Sequence, residues 1–129
     1  MLSVHDLAHF RGKLLEREAQ LRRELHEMQE RSAAERFAEV AGEVPDSEDA
    51  ALAELVADTN QAEIGRDTAE LREVEHALGR LEAGSYGICQ KCGEPIERGR
   101  LEVFPAAKYD LRHQEEAEHR LRTRAAPKL

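Results

Sequence analysis

Residues 6–28 read DLAHFRGKLLEREAQLRRELHEM. Leu7, Leu14, Leu21 and Met28 recur at intervals of seven, and Phe10 and Leu25 fill the same face. That apolar stripe is of the coiled-coil type, by which one helix packs along another. It predicts a helix from about Asp6 to Val40, with Ser3 as its cap and Asp6 near the positive end of the helix dipole. The run Ala41-Gly42-Glu43-Val44-Pro45 breaks the pattern, because Gly and Pro both punctuate helices. Asp46 or Ser47 then caps a second helix, with Glu48 and Asp49 in its first turn, which runs to about Ala83 and stops at Gly84. Its stripe is Leu71, Val74, Leu78 and Leu81, with Ile64 one heptad back; Asn60 and Asp67 stand where apolar residues are due. At 1.5 Å per residue this helix is roughly 50 Å long. Complementary stripes and a short connection predict a long antiparallel coiled-coil hairpin over residues 1–84, its tip at about 41–50.

The composition agrees. The chain has 129 residues, 40% hydrophobic, 36% charged and only 4% aromatic, with no Trp. So few large side chains cannot fill a wide core, and the balance is that of long helices. No run of 18 apolar residues is present to span a membrane, and the start, MLSVHDLAHF, lacks the apolar core of a signal peptide. Two cysteines in a single C-x-x-C suit a reduced, cytoplasmic setting better than a disulfide scaffold. These features argue against a secreted enzyme, a membrane protein and a disulfide mini-protein.

Net charge is −8, and it is unevenly placed. Between Phe37 and Gly65 there are eight acids and no base, while the rest of the chain is neutral. A DNA-binding protein needs a basic stripe to displace phosphate counterions, and none is present.

Residues 85–108 change character: SYGICQKCGEPIERGRLEVFPAAK holds both cysteines and reads as a knuckle followed by a short hairpin turning at Arg98-Gly99. A third, polar helix is expected from about Tyr109 to Arg124, closed by Pro127. Two thiolates two residues apart, Cys89 and Cys92, can share a tetrahedral metal ion, and Gly93 lets the backbone fold toward the sulfurs. A closed site needs two more ligands. Asp110 and His113 stand at the matching offset, C-x(2)-C-x(17)-D-x(2)-H, one turn apart on the expected helix. Zinc bound by these four residues is one reading. A packed turn without metal is the other. A thioredoxin-like redox role is disfavoured because no βαβ pattern surrounds the motif. His5 and His9, at i and i+4, are read as solvated helix residues rather than a shared metal site, and His26 and His76 as single surface positions. No phosphate loop or nucleophile elbow is found, and a helical hairpin encloses no substrate. On the residues alone, Asp46-Ser47-Glu48-Asp49-Ala50-Ala51 is a capped, solvated helix start.

Together these pieces resemble the DksA/TraR family of bacterial RNA polymerase regulators. The resemblance rests on Phe10-Arg11-Gly12-Lys13-Leu14-Leu15 and on a D-x-x-D-x-A pattern at Asp46, Asp49 and Ala51. It rests further on Tyr86-Gly87-Ile88-Cys89-Gln90-Lys91-Cys92-Gly93, Ile96 and Arg100-Leu101-Glu102-Val103-Phe104-Pro105. It implies a mainly α fold, a coiled-coil hairpin plus a small zinc-finger-like globular part with a C-terminal helix. Residues 85–129 would be a degenerate zinc-finger segment and that helix. It implies a cytoplasmic, non-enzymatic transcription regulator whose hairpin enters the secondary channel of RNA polymerase. There the tip residues Asp46 and Asp49, with Ala51, act near the catalytic centre, without sequence-specific DNA binding or membrane contact. Two features depart from the family's pattern. Four cysteines are replaced by Cys89 and Cys92 with Asp110 and His113. The basic residues that meet the alarmone ppGpp align with Glu73, Phe104 and Gln114, so ppGpp is not expected as a partner. The alternative function is a zinc- or redox-responsive interaction module of the same fold with a partner other than polymerase.

Overall fold

The computed structural model describes residues 1–40 and 47–125. Among these residues four helices follow in order: α1 (Val4–Val40), α2 (Ser47–Ala83), α3 (Arg98–Val103) and α4 (Leu111–Ala125). Among the described residues there is no strand, only an isolated antiparallel bridge between Ile88 and Pro95. No helix of the described residues is long and apolar enough to cross a membrane.

The ends of the long helices are set locally. The Ser3 hydroxyl accepts the Asp6 N–H at 3.0 Å, and the Asp6 carboxylate accepts the Ser3 N–H at 3.0 Å. This reciprocal pair satisfies two donors that a helix start leaves open. At the other end of the hairpin's chain path, Gly84 has φ +79, a conformation open to glycine at little cost. Its turn lets the Ser85 N–H reach the Arg80 carbonyl at 2.9 Å and closes α2.

The chain forms two compact units. One holds Arg17–Arg72, the long middle of the two helices. There Arg17 pairs with Glu70, and Glu24 hydrogen-bonds Asp67. Partner numbers fall on α2 as they rise on α1, so the helices run antiparallel. Leu21 and Met28 are buried along this seam, as the heptad predicts. The other unit joins Met1–Glu16 and Glu73–Leu129, so both hairpin ends group with the finger segment. Its core is Phe10, Leu14, Val74, Ala77, Tyr86, Ile96 and Leu101. The Phe10 and Tyr86 rings meet at a tilt of 42° with centroids 5.9 Å apart, and the Tyr86 hydroxyl donates to the Pro105 carbonyl at 2.7 Å.

Three local expectations are corrected. The stripe of α2 is centred differently: Val74, Ala77 and Arg80 are buried, whereas Leu71, Leu78 and Leu81 are only half-buried. The turn expected at Arg98-Gly99 is instead the start of α3. Gly99 has no positive φ, Leu101 is fully buried, and Arg98 reaches Asp6 at 2.9 Å, so a helical turn that points Leu101 inward is favoured over a hairpin. The C-terminal helix begins at Leu111 rather than Tyr109, because Asp110 caps it. Pro127 lies outside the described residues.

Candidate metal centre

The knuckle is built from backbone. The Gly93 N–H reaches the Cys89 carbonyl at 2.8 Å, with Gly93 at φ +77, and the Cys89 N–H reaches Glu94 at 2.8 Å. The Gln90 N–H donates to the Lys108 carbonyl at 2.8 Å and draws the chain that precedes α4 against the knuckle. Asp110 and His113 thereby meet the two thiols. The four donor atoms of Cys89, Cys92, Asp110 and His113 lie within 4.8 Å of one another, the one such cluster found among the described residues.

Two of the donor separations match the edges of a tetrahedral ion. With Zn–S about 2.3 Å and Zn–N or Zn–O about 2.0–2.1 Å, a sulfur-to-light-donor edge is roughly 3.5 Å. Cys89 Sγ is 3.7 Å from His113 Nδ1, and Cys92 Sγ is 3.4 Å from Asp110 Oδ2. The other carboxylate oxygen, Oδ1, accepts the His113 N–H at 2.9 Å and lies 2.7 Å from His113 Nδ1.

The electrostatics separate the two thiols. Burial is the largest influence on Cys89 and favours its neutral form. Backbone N–H groups of Asp110, Cys92 and Lys91, with the Cys92 thiol, outweigh it and hold Cys89 below the ordinary thiol value. The N–H of Glu94 pulls Cys92 down, but partial desolvation and the neighbouring Cys89 and Asp110 push it above that value. The His113 N–H is the first of several groups that hold Asp110 low. The Cys92 thiol donates to Asp110. The donor chemistry of this cluster, two sulfurs, an imidazole and a carboxylate, suits zinc.

Of the tip residues, Asp46 lies outside the described residues. Asp49 is in the first turn of α2, its side chain outside what is described, and Ala51 is exposed two residues on. His9 does not pair with His5 in a metal site; its Nε2 lies 3.0 Å from Glu102. His26 is exposed and pairs with Glu30 at 3.0 Å.

Glu73, Phe104 and Gln114 line one cavity of about 850 Å³ in the finger-bearing unit. The cavity is also lined by Arg80, Lys108, Arg120 and Arg124, which the alignment of three positions does not reveal. Arg80 is 9% exposed and donates to the carbonyls of Ala106 and Ala107 at 3.3 and 3.4 Å. Its burial lowers the guanidinium pKa from the ordinary value. Lys108 lies over the Tyr109 ring, 5.2 Å from its centroid.

Comparison with known proteins adds three kinds of likeness. Residues 84–109 match the family model of the prokaryotic dksA/traR C4-type zinc finger. The chain is 33% identical over 123 residues to the RNA polymerase-binding transcription factor DksA of Caulobacter vibrioides, covering 94% of this chain and 82% of that one. It is 33% identical over 129 residues to general stress protein 16O of Bacillus subtilis, covering 96% and 76%. The solved structure of transcription factor DksA2 from Pseudomonas aeruginosa superposes with a TM-score of 0.72 at 29% identity, over 90% of this chain and 85% of that one. The finger match and the donor cluster together support zinc as the cofactor. Likeness that runs from the first helix through the finger, at this identity and over this much of the Caulobacter protein, is a family relationship: the chain belongs to the DksA/TraR family.

Proposed function

We propose that this protein is a transcription regulator that acts by binding RNA polymerase, without catalytic chemistry of its own. The observation that carries the reading is its 33% identity over 82% of the length of the Caulobacter RNA polymerase-binding factor. Two helices of 37 residues each give the hairpin the reach that insertion into a channel requires. Asp46 and Asp49 act as effectors at its end, with small Ala51 beside them. Carboxylates brought close to a basic, metal-containing active site interact strongly there without reacting. Cys89, Cys92, Asp110 and His113 hold zinc and fasten the finger that docks on the enzyme.

The regulator works without ppGpp. A polyphosphate nucleotide is held by charge-assisted bonds from Lys and Arg. The three aligned positions carry Glu73, Phe104 and Gln114, which offer an anion and two uncharged groups. Of the four bases that share their cavity, Arg80 is committed to two carbonyls, Lys108 lies on an aromatic face, and Arg120 and Arg124 stand on α4, away from the three aligned positions in sequence. Transcription in vitro with purified polymerase, with and without this protein, tests the reading. A change in promoter-complex lifetime supports it, and an unchanged lifetime together with no co-migration with polymerase contradicts it.

A further inference from the structure

We propose that Asp110 does two jobs with its two oxygens: Oδ1 caps α4 while Oδ2 is a metal ligand, so that metal occupancy controls how firmly α4 is held. The inference rests on the reading that Cys89, Cys92, Asp110 and His113 bind a metal.

The division of labour is visible in the contacts. Oδ1 faces the helix, where it accepts the His113 N–H at 2.9 Å and also lies 2.7 Å from the His113 Nδ1 of the same turn. Oδ2 faces the thiol of Cys92 at 3.4 Å, the separation that a shared tetrahedral ion spans. His113 supplies the second tie: its Nδ1 lies 3.7 Å from Cys89 Sγ, and on metal binding it exchanges its 2.7 Å contact with Oδ1 for the ion. A cysteine at position 110 would offer a sulfur to the metal but no oxygen to the open N–H groups of the helix start. Asp and Asn are among the best capping residues, and Cys is not. Aspartate is thus suited to a position that must both start a helix and bind a cation.

Little else anchors α4. From Leu111 to Arg124 no residue is fully buried; His113, Gln114 and Ala117 are half-buried and the others exposed. Leu111 and Leu121 are 50% and 66% exposed. The first turn, at the donor cluster, is therefore the helix's main attachment. The same helix contributes Gln114, Ala117, Arg120, Leu121 and Arg124 to the wall of the 850 Å³ cavity. A metal that ties Asp110 and His113 to the knuckle orders that wall, and its loss frees it.

The test uses the full chain and no polymerase, so it does not depend on the proposed partner. Co2+ is titrated into metal-free protein and followed by its thiolate charge-transfer band, while amide exchange is measured along α4 with and without Zn2+. For the native chain, tight Co2+ binding and at least about tenfold slower exchange in α4 with metal are expected. Asp110→Asn keeps the cap, so its metal-free exchange should match the native protein, but its metal affinity should fall by at least about 10-fold. Asp110→Cys should bind metal tightly yet exchange faster than the native protein when metal-free, because the cap is gone. Native affinity in Asp110→Asn would overturn the ligand role, and α4 exchange indifferent to metal would overturn the coupling. Failure of the native chain to bind Co2+ at all would overturn the metal site itself, which is a distinct result from either.

Discussion

Lys13 Nζ, on α1, lies 2.7 Å from Glu102 Oε2 and 3.1 Å from the Glu102 backbone carbonyl, on α3, across 89 residues of sequence. His9 reaches the same carboxylate at 3.0 Å, and Arg98 connects Asp6 to the group from the other side. One carboxylate thus fastens the first turns of α1 to the short helix that follows the knuckle.

Acid should loosen this contact. Lys13 first, and then His9, hold Glu102 below the ordinary glutamate value of 4.5. A carboxylate depressed in the folded state stabilises the fold above its unfolded pKa, and the contribution is lost as pH falls through the folded one. The native protein should therefore lose stability below about pH 4.5 more steeply than Glu102→Gln, which has no charge to lose. Thermal melting of both proteins from about pH 6 down to pH 3 checks this, with convergence of the two curves at the acid end expected.

Arg80 should matter as a buried donor. Replacing it with Met keeps bulk but leaves the carbonyls of Ala106 and Ala107 without their partner. An unsatisfied buried polar group costs about 1–3 kcal/mol. A fall of that size in unfolding free energy by denaturant titration is expected, with a smaller loss for Arg80→Lys. No change in Arg80→Met would show that water replaces the guanidinium fully.

The difference between Leu21 and Arg80 explains what was legible in the sequence. Leu21 belongs to a repeat of seven that any helix reads out locally, and the same holds for the Ser3–Asp6 cap and the stop at Gly84. Arg80 is buried because the fold delivers the carbonyls of residues 106 and 107 to it, and no local pattern announces such a partner. The hairpin expected at Arg98-Gly99 failed for a related reason: Gly99 is a turn signal in isolation, but burial of Leu101 and the Asp6–Arg98 pair decide for a helix. That Cys89, Cys92, Asp110 and His113 come together was legible because ligand spacing is itself a sequence pattern. That Asp110 also caps α4 was not, since the sequence places the helix start only at about Tyr109.

The proposed independence of the alarmone can be measured directly. Charge-assisted hydrogen bonds are worth about 1.5–3 kcal/mol each, and 1.4 kcal/mol is a factor of ten. Two missing contacts should weaken ppGpp binding by roughly two to four orders of magnitude. In transcription reactions with polymerase stripped of any alarmone site of its own, micromolar ppGpp should leave the effect of this protein unchanged. Glu73→Lys with Gln114→Lys should create a response. Strong potentiation of the native protein would show that Arg120, Arg124 or Lys108 takes over the phosphates.

The tip provides the sharpest test. Asp46→Asn with Asp49→Asn should leave binding to RNA polymerase nearly intact, because the finger-bearing unit is untouched, and should abolish the effect on transcription. The cost to α2 should be on the order of 1 kcal/mol if one of the two caps the helix. The measurement is the lifetime of promoter complexes formed by purified RNA polymerase in the presence of native or doubly substituted protein, with binding followed in parallel. A changed lifetime with the native protein and none with the bound double variant is the expected result; full regulatory activity in the double variant would contradict it.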